Sequence, residues 1–330
     1  MGAAIYFNRS AEEGDVSVLS QYKEVQTYAS NTTITDSLTV NEGELLTMKN
    51  GAELTVQEET VINGAIGCQA GSMTLTFEKK VVLNDTIVCE SGVDSDVIIV
   101  AKGGLVMGEN ARIISDGNVQ IVDSESVIRS NAELNELYDA VETVPEGGLV
   151  VGPFVDEETE LPEIKNEEAV SVKRSLFFER FVNVAHAQIN NGTTTVNLSS
   201  DPIIVSGKIK IQGPVRKGAK RVVVFDFPNT SSVTVQNFEL EGPAGRPGDA
   251  DTGSCDVTGK KGEDAFRFNA FAPNLTVNNF TLMLGDGGKG GEATAGDGCE
   301  EAKAKGGDGG KPGNFRMIGS QKFEITGAFI

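Results

Sequence analysis

The sequence predicts an all-β chain and, within that class, a β-solenoid. Short apolar strands recur along the first part of the chain, a strand-pair motif recurs in the second part, and glycine recurs every third residue in long insertions. The composition agrees: 39 of 330 residues are glycine, aromatic residues make up 6%, and there is no tryptophan and one histidine. These counts argue against a helical bundle, a tryptophan-lined sugar cleft and a multi-histidine metal centre.

The strands of the first part are predicted from apolar runs that begin about every 16 to 23 residues. Turn signals such as Asn50-Gly51 and Asn63-Gly64 separate them. Several strands per period of about twenty residues are typical of a solenoid, in which each turn buries its inward face by stacking on the next. A β-sandwich is the alternative. The runs are Leu38–Val40, Leu54–Val56, Thr74–Phe77, Val97–Val100 and Val119–Val122.

The cysteines fall into two candidate pairs. Cys68 and Cys89 are 21 residues apart, about one coil, which places them on neighbouring rungs roughly 4.8 Å apart and within reach of a disulfide or of a stack of cysteine side chains. Cys255 and Cys299 each lie in a glycine-rich insertion and would join one insertion to the other. A structural role is favoured over redox chemistry because neither of these two has a C-x-x-C partner or a nearby histidine.

An acidic segment divides the chain. Between residues 131 and 170 there are twelve acidic residues and one lysine, which accounts for over half of the net charge of -20. Proline and glycine are also frequent there, and this is the composition of a solvated connector. We therefore predict a β-solenoid-like domain at 1–130, a short helix and acidic linker at 131–171, and a capping helix with a right-handed parallel β-helix at 172–330.

The second part contains the clearest repeat. Residues 231–240 (SSVTVQNFEL) align with 273–282 (PNLTVNNFTL), and 322–325 (KFEI) is a looser third copy. Phe238, Phe280 and Phe323 are therefore 42 and 43 residues apart, and each copy runs into a glycine. One strand pair followed by a long glycine-rich excursion is typical of a β-helix with its loops on one side.

With the upstream segment 201–214 (DPIIVSGKIKIQGP), this repeat resembles the opening coils of pectin-lyase-like right-handed β-helices. The similarity is greatest to bacterial surface proteins related to polymorphic outer-membrane proteins, and it covers about residues 190–330. It implies a fold more than a function. The apolar positions Leu176, Phe177, Phe181 and Val184 have helical spacing, and we expect a short helix there to cap the open end of the β-helix.

The glycine period of three predicts polyproline II-type insertions. In such a helix a glycine at every third position lets neighbouring strands approach closely. We expect a bundle of short polyglycine II helices within one chain, similar to those of some antifreeze proteins and phage receptor-binding adhesins; a flexible glycine-rich loop is the alternative. The main sets are Gly242, Gly245 and Gly248; Gly259 and Gly262; Gly285, Gly288 and Gly291; and Gly307, Gly310 and Gly313.

Two groups of charged residues are candidate binding sites. Asp249, Asp251 and Asp256 have the oxygen density of a Ca²⁺ loop but lack the spacing of an EF-hand, so a solvated acidic loop competes with a calcium site. Apart from calcium, no cofactor is expected. A second group places six cations in fourteen residues, either to hold an anionic glycan or to pair with the acidic segment of the same or a neighbouring subunit. These are Lys208, Lys210, Arg216, Lys217, Lys220 and Arg221.

The sequence predicts no catalytic residue, and we expect a protein that is not an enzyme. The outward positions of the repeats, such as Thr234 and Asn278, are hydrogen-bonding groups without acid–base function, and the one histidine, His186, lies in the capping segment. A net charge of -20 argues against nucleic acid as a partner. No apolar run reaches the roughly 18 residues that a membrane-spanning helix needs.

We therefore expect an extracellular or cell-surface protein with a structural or adhesive role. It would be a self-associating subunit of a surface fibre, or one segment of a larger surface protein, with a glycan or another cell-envelope component as a further partner. Two disulfide candidates fit an oxidising compartment. A phage tail-fibre adhesin is the alternative, and a β-helix polysaccharide lyase or hydrolase comes third. No secretory leader opens the sequence, so we expect a fragment, a processed form or another export route.

Overall fold

The computed structural model describes residues 18–90, 95–128, 202–212, 221–252, 256–263, 265–283, 285–294, 303–310 and 313–328. Two short 3₁₀ turns, Val18–Gln21 and Glu125–Val127, accompany the strands. The strands before residue 129 are β1 (Lys23–Tyr28), β2 (Thr32–Ile34), β3 (Leu38–Val40), β4 (Glu44–Lys49), β5 (Glu53–Val56), β6 (Thr60–Ile62), β7 (Ala65–Gln69), β8 (Met73–Phe77), β9 (Val81–Leu83), β10 (Thr86–Cys89), β11 (Val97–Ala101), β12 (Leu105–Met107), β13 (Arg112–Ser115) and β14 (Val119–Val122). Those after residue 201 are β15 (Ile203–Ile211), β16 (Val222–Asp226), β17 (Val233–Glu241), β18 (Asp251–Thr252), β19 (Asp256–Thr258), β20 (Arg267–Met283), β21 (Ala293–Thr294), β22 (Lys303–Lys305) and β23 (Asn314–Ile325).

The strands form a parallel β-helix with three faces. The first face contains β1, β4, β7, β10 and β13, the second β2, β5, β8, β11 and β14, and the third β3, β6, β9 and β12. After residue 201 the strands are longer, so that β15 and β17 each turn from the third face onto the first. The fold is all-β and consistent with a right-handed parallel β-helix, as the sequence predicts.

The core lies inside the three faces. Alternation along each strand places one side chain in two inside, and these inward positions are almost all aliphatic up to β15. In the later coils the core becomes aromatic. Phe238 and Phe280 occupy paired positions on the first face with ring centroids 5.5 Å apart, and Phe280 also stacks on Phe268 of the second face at 5.6 Å. The aromatic cluster fills the interior of these coils.

The strands before residue 129 and those after residue 201 belong to one solenoid. On the second face β14 pairs with β16, with Val119 opposite Val223, and on the first face β13 pairs with β15. Side chains join the same coils, because the Asp123 carboxylate accepts hydrogen bonds from the backbone N–H of Asn229 at 2.8 Å and from the Thr230 hydroxyl at 2.9 Å. The two parts of the chain therefore share one sheet; the acidic linker at 131–171 and the capping helix lie outside the described residues.

The Cys68–Cys89 disulfide is confirmed. The two residues lie at the ends of β7 and β10, on neighbouring rungs of the first face, with a Cα–Cα distance of 4.9 Å. Both side chains point into the core, at 7% and 0% exposure. The separation of 21 residues is one coil of the solenoid, which is why the spacing in the sequence identified the pair.

Removing this disulfide is expected to cost about 3 kcal/mol of unfolding free energy, because it closes one coil in the unfolded chain. The measurement is urea unfolding of the Cys68→Ala/Cys89→Ala variant against the oxidised wild type. The two alanines also remove the buried sulfur atoms, which adds a packing cost to the loss of the bond. Chemical reduction of the wild-type disulfide therefore gives a second estimate of the contribution of the bond alone. An unchanged unfolding midpoint in both experiments would show that the bond adds nothing to stability.

Candidate functional site

The most distinctive feature outside the core is a projection at the corner between the first and second faces. In early coils this corner is a two-residue turn, as at Asn50-Gly51, where both residues have positive φ (56° and 71°). In two successive late coils the same corner is occupied by the glycine-rich insertions, between β17 and β20 and within the connection from β20 to β23. Each insertion runs out and back. The four resulting segments are PG1 (242–252), PG2 (256–263), PG3 (285–294) and PG4 (303–310), here called the glycine bundle.

Parallel segments in the bundle hydrogen-bond at every third residue. In PG1 the N–H groups of Gly242, Gly245 and Gly248 donate to carbonyl groups of Met283, Asp286 and Lys289, at 3.0, 2.7 and 2.8 Å. PG2 donates to PG4 in the same way, from Gly259 and Gly262 to Lys305 and Asp308, both at 2.9 Å. A repeat of three residues is that of the polyproline II helix, and it differs from the two-residue repeat of a β-strand.

Antiparallel contacts join the remaining neighbours. PG2 donates to PG1, PG3 donates to PG2, and PG4 donates to PG3, again at every third residue. For example, Gly288 and Gly291 donate to the carbonyl oxygens of Glu263 and Lys260, at 2.9 and 2.7 Å. The bundle thus has two layers, PG1 with PG3 and PG2 with PG4, parallel within a layer and antiparallel between layers.

The glycines of the period are needed for this packing. A Cβ on Gly288 would overlap the carbonyl oxygen of Arg246, one on Gly262 would overlap that of Gly288, and one on Gly291 would overlap that of Asp249. All three obstacles are backbone atoms, which cannot move aside as a side chain can. The polyproline II-type insertions are therefore confirmed, and the alternative of a flexible glycine-rich loop is wrong for the described segments.

Side chains of the bundle point outward in regular rows. PG1 exposes Ala244, Pro247 and Ala250, three residues apart. The parallel neighbour PG3 exposes the charged residues Asp286, Lys289 and Glu292 at the same period. A rise of about 3.1 Å per residue spaces the members of a row by roughly 9 Å. The result is a rigid surface on which an apolar row and a row of alternating charge lie side by side.

The predicted calcium ligands lie on this bundle. The Asp249 carboxylate forms an ion pair with Arg246 at 2.9 Å, and Asp251 accepts a hydrogen bond from the Thr258 N–H at 3.2 Å. The side chain of Asp256 lies outside the described residues. Within the described ranges, no three His, Cys, Asp or Glu side chains are placed together to hold a metal ion. The calcium site stays a prediction, and Asp249 has a cation from its own strand.

Two of the six predicted cations form an ion-pair ladder on the outer side of the first face. Lys208 Nζ lies 2.8 Å from Glu239 and 2.7 Å from Glu241, and Lys210 Nζ lies 3.4 Å from Glu241. The partners come from the next coil, where Lys208 is opposite Glu239 and Lys210 opposite Glu241. These two lysines therefore neutralise neighbouring carboxylates of the same chain. Arg221 is 1% exposed, and Arg216, Lys217 and Lys220 lie outside the described residues.

The pKa values of the ladder shift toward the charged forms. Burial alone would raise the pKa of Glu241, but the hydrogen bond from Lys208 and the charges of Lys208 and Lys210 outweigh it and hold the pKa below its ordinary value. Burial alone would lower the pKa of Lys208, but its hydrogen bonds to Glu239 and Glu241 outweigh that effect and raise the pKa. Both groups are therefore charged over the whole neutral range.

The ladder is expected to make stability depend on pH. Because the folded-state pKa of Glu241 is depressed, the pair stabilises the fold above the unfolded-state pKa and loses this contribution as the pH falls through the folded-state value. Lys208→Met should lower stability by less than about 1 kcal/mol at neutral pH, since the side chains are partly exposed. Urea midpoints between pH 3 and 7 measure it, with Lys322→Met in an exposed pair as control. A difference that does not change with pH would contradict the ladder.

A groove of about 610 Å³ lies on the outer side of the first face, near the disulfide. The turn Val18–Gln21 forms one wall, and Leu19 packs over Gly67, where a Cβ would meet its side chain at 2.5 Å. Val88 contributes to the floor, and Glu90 and Asp116 line the groove. The sequence does not reveal this groove, because Glu90 and Asp116 are brought together only by the register of β10 on β13.

The remaining predicted site residues, Cys255 and Cys299, lie outside the described residues. None of the helices in the described part of the chain is long and apolar enough to cross a membrane. Comparisons with protein-family models, with curated proteins and with solved structures gave no match for this chain. The class that the fold and the projection define is a parallel β-helix with a polyglycine II bundle at one corner.

Proposed function

We propose that this protein is an extracellular structural and adhesive protein, either a subunit of a surface fibre or a segment of a larger surface protein. The observation that carries the proposal is the glycine bundle. Two successive coils each send one insertion out from the same corner, and the two insertions are hydrogen-bonded into one body with side chains facing outward. The solenoid acts as a stiff mount, and the bundle is the contact surface.

The construction of the bundle supports an adhesive role. Its backbone groups bond to one another at regular intervals, so its side-chain rows are held in fixed positions before any partner arrives. A surface ordered in advance loses little conformational entropy on binding. The outward rows combine small apolar residues with alternating charge, which suits a flat polar partner such as an envelope glycan.

The setting is supported by the buried disulfide and by the resemblance in the sequence. A disulfide between neighbouring rungs is stable in an oxidising compartment outside the cytoplasm. The similarity of residues 190–330 to β-helical bacterial surface proteins related to polymorphic outer-membrane proteins supports the same setting. A phage tail-fibre adhesin is the second candidate, and the bundle favours it equally well, because both functions present a rigid projection to a cell envelope.

Electron microscopy of the purified chain tests the structural half of the proposal. Images are taken over a range of protein concentrations, with and without reducing agent. Regular filaments that grow with concentration support the fibre. Isolated short rods at all concentrations would overturn the fibre and leave adhesion as the function.

Binding to a glycan array and to purified lipopolysaccharide tests the adhesive half. The comparison is between the wild type, Gly288→Ala, which places a Cβ against the Arg246 carbonyl inside the bundle, and Gly309→Ala, where a Cβ meets only ordinary contacts. Binding lost in Gly288→Ala and kept in Gly309→Ala supports adhesion through the bundle. Absence of both filaments and binding would overturn the proposal, and cleavage of uronic-acid polymers would move it to the enzymes.

A further inference from the structure

The glycine bundle is built by one repeated step. PG3 follows PG1 with an offset of 42 residues, as Asp251 opposite Ala293 shows, and PG4 follows PG2 with an offset of 47, as Thr258 opposite Lys305 shows. Adding these offsets to the residues that join the two layers in one coil gives the residues that join them in the next. The hydrogen bond from Lys260 N–H to the Asp249 carbonyl becomes the bond from Gly307 to Gly291, at 3.1 and 2.8 Å.

Applying the step once more defines a fifth position, in the notch between PG3 and PG4. PG3 lies in the equivalent notch between PG1 and PG2. There it accepts hydrogen bonds from Gly245 and Gly248 of PG1, and it donates to Lys260 and Glu263 of PG2. A strand at the fifth position would accept hydrogen bonds from PG3 and donate hydrogen bonds to PG4 in the same way.

The donors of the fifth position are in place. The residues of PG3 equivalent to Gly245 and Gly248 are Gly287 and Gly290. Within the described residues, neither of these two N–H groups donates to a backbone carbonyl, whereas their counterparts one coil earlier donate at 2.7 and 2.8 Å. Among the segments that the structure describes, the edge of the PG1–PG3 layer therefore has backbone donors without a backbone acceptor, comparable to the edge strand of a β-sheet.

The acceptors are in place as well. The residues of PG4 equivalent to Lys260 and Glu263 are Gly307 and Gly310. Their own N–H groups donate to PG3, at 2.8 and 2.7 Å, but within the described residues their carbonyl oxygens accept no backbone hydrogen bond. In the preceding coil the corresponding carbonyl groups accept from Gly291 and Gly288 of PG3.

The steric clearance is the third prepared feature. In PG2 a Cβ on Gly259 or Gly262 would overlap the backbone of PG3, so these glycines admit PG3. Their equivalents in PG4 are Gly306 and Gly309, which are exposed. A Cβ at Gly306 or Gly309 would meet a single backbone oxygen at 3.8 or 3.6 Å, which is ordinary contact. Packing within the chain does not require glycine at these two positions.

We propose that the notch between PG3 and PG4 binds a fifth polyglycine II strand supplied by another polypeptide, parallel to PG3 and with glycine at every third residue. The glycine requirement follows from PG3, in which a Cβ on Gly288 or Gly291 would overlap backbone oxygens of PG1. PG1 of a folded second copy does not fit this position, because Arg246 and Asp249 stand where PG3 has Gly288 and Gly291. The inference concerns the end of the bundle and does not depend on adhesion by its sides.

The test is binding of a synthetic peptide with the sequence of PG3, Gly-Asp-Gly-Gly-Lys-Gly-Gly-Glu-Ala-Thr, to the full chain. A dye-labelled peptide is titrated, and its fluorescence anisotropy is measured. The control peptide has alanine at the positions of Gly288 and Gly291. The protein variant is Gly306→Ala/Gly309→Ala, which fills the notch without overlap, and its matched control is Lys305→Ala, an exposed side chain of the same segment.

The expected result is saturable binding to the wild type and to Lys305→Ala, with at least a tenfold loss for the Gly306→Ala/Gly309→Ala variant and for the alanine peptide. Hydrogen exchange of the bundle in the free variant shows that its fold is kept. Equal binding of the two peptides, or no saturable binding at millimolar peptide, would overturn the proposal. A dimer of the free chain that the double variant abolishes would also overturn it, since the occupant is then a second copy. Each outcome is independent of the glycan-array result.

Discussion

Replacing Phe280 with alanine is expected to lower the unfolding free energy by about 3–5 kcal/mol, the usual cost of removing a fully buried aromatic ring. Phe280 is 0% exposed and belongs to the aromatic cluster. It stacks on Phe238 from the preceding rung and on Phe268 across the interior, with centroid distances of 5.5 and 5.6 Å. A cavity there removes contacts in two coils at once, and close packing on all three faces leaves little room for collapse.

Urea unfolding of the purified variant measures this loss, with Met283→Ala as the matched control. Met283 lies three residues further along the same strand but is 41% exposed, so its truncation should cost less than about 1 kcal/mol. Because coils contact only their neighbours, the later coils are expected to melt first in the Phe280→Ala variant. Equal losses in the two variants would contradict an aromatic core that stabilises the late coils.

Much of the solenoid could be predicted because its local signals and its repeat agree. The runs predicted as strands at residues 38, 54, 74, 97 and 119 are β3, β5, β8, β11 and β14. The alignment of 231–240 with 273–282 is the register of β17 on β20, including Phe238 opposite Phe280. A stacked coil repeats the same inward positions, so similarity in sequence becomes neighbourhood in space.

The third copy of the repeat does not lie in register with the first two. Phe323 is 43 residues after Phe280, but the structure places it opposite Leu275, on the third face. The coil is 48 residues long at this point, because the insertion between β20 and β23 is longer than the one before it and because β23 has one extra residue opposite the stretch from Ala272 to Asn274. Insertions change the number of residues per coil without disturbing the stacking of the strands. A count of residues between phenylalanines therefore cannot show whether two of them occupy equivalent positions.

Charges were harder to predict than strands. The sequence predicts that Lys208 and Lys210 bind a glycan or the acidic segment, and this stays a prediction; it did not reveal their ion pairs with Glu239 and Glu241 of the next coil. The partners are about 31 residues away, and only the register of β15 on β17 brings them together. For the glycine bundle, the period of three predicted the type of helix. The pairing of the segments could not be predicted, because it depends on both insertions leaving the same corner of the solenoid.

The bundle itself is expected to be lost in Gly288→Ala. The new Cβ would overlap the carbonyl oxygen of Arg246, so PG1 and PG3 must separate. Separation breaks the hydrogen bonds from Gly245 to Asp286 and from Gly248 to Lys289. Each backbone hydrogen bond stabilises the bundle by only about 0.5–1.5 kcal/mol. The added methyl group costs about 1–3 kcal/mol by overpacking. Segments so rich in glycine bury little apolar side-chain area that could offset this cost.

Hydrogen exchange measured by mass spectrometry tests this over residues 242–310. In the wild type the amides of every third residue should be protected, and in Gly288→Ala their protection should fall while that of β4, β7 and β10 is unchanged. Gly309→Ala is the matched control, since the same substitution one segment away meets only a single backbone oxygen at 3.6 Å. If both variants keep wild-type protection, the close approach of the backbones is not what holds the bundle together. If both variants lose protection, the bundle needs glycine for its backbone conformation and not for the close approach of neighbouring segments.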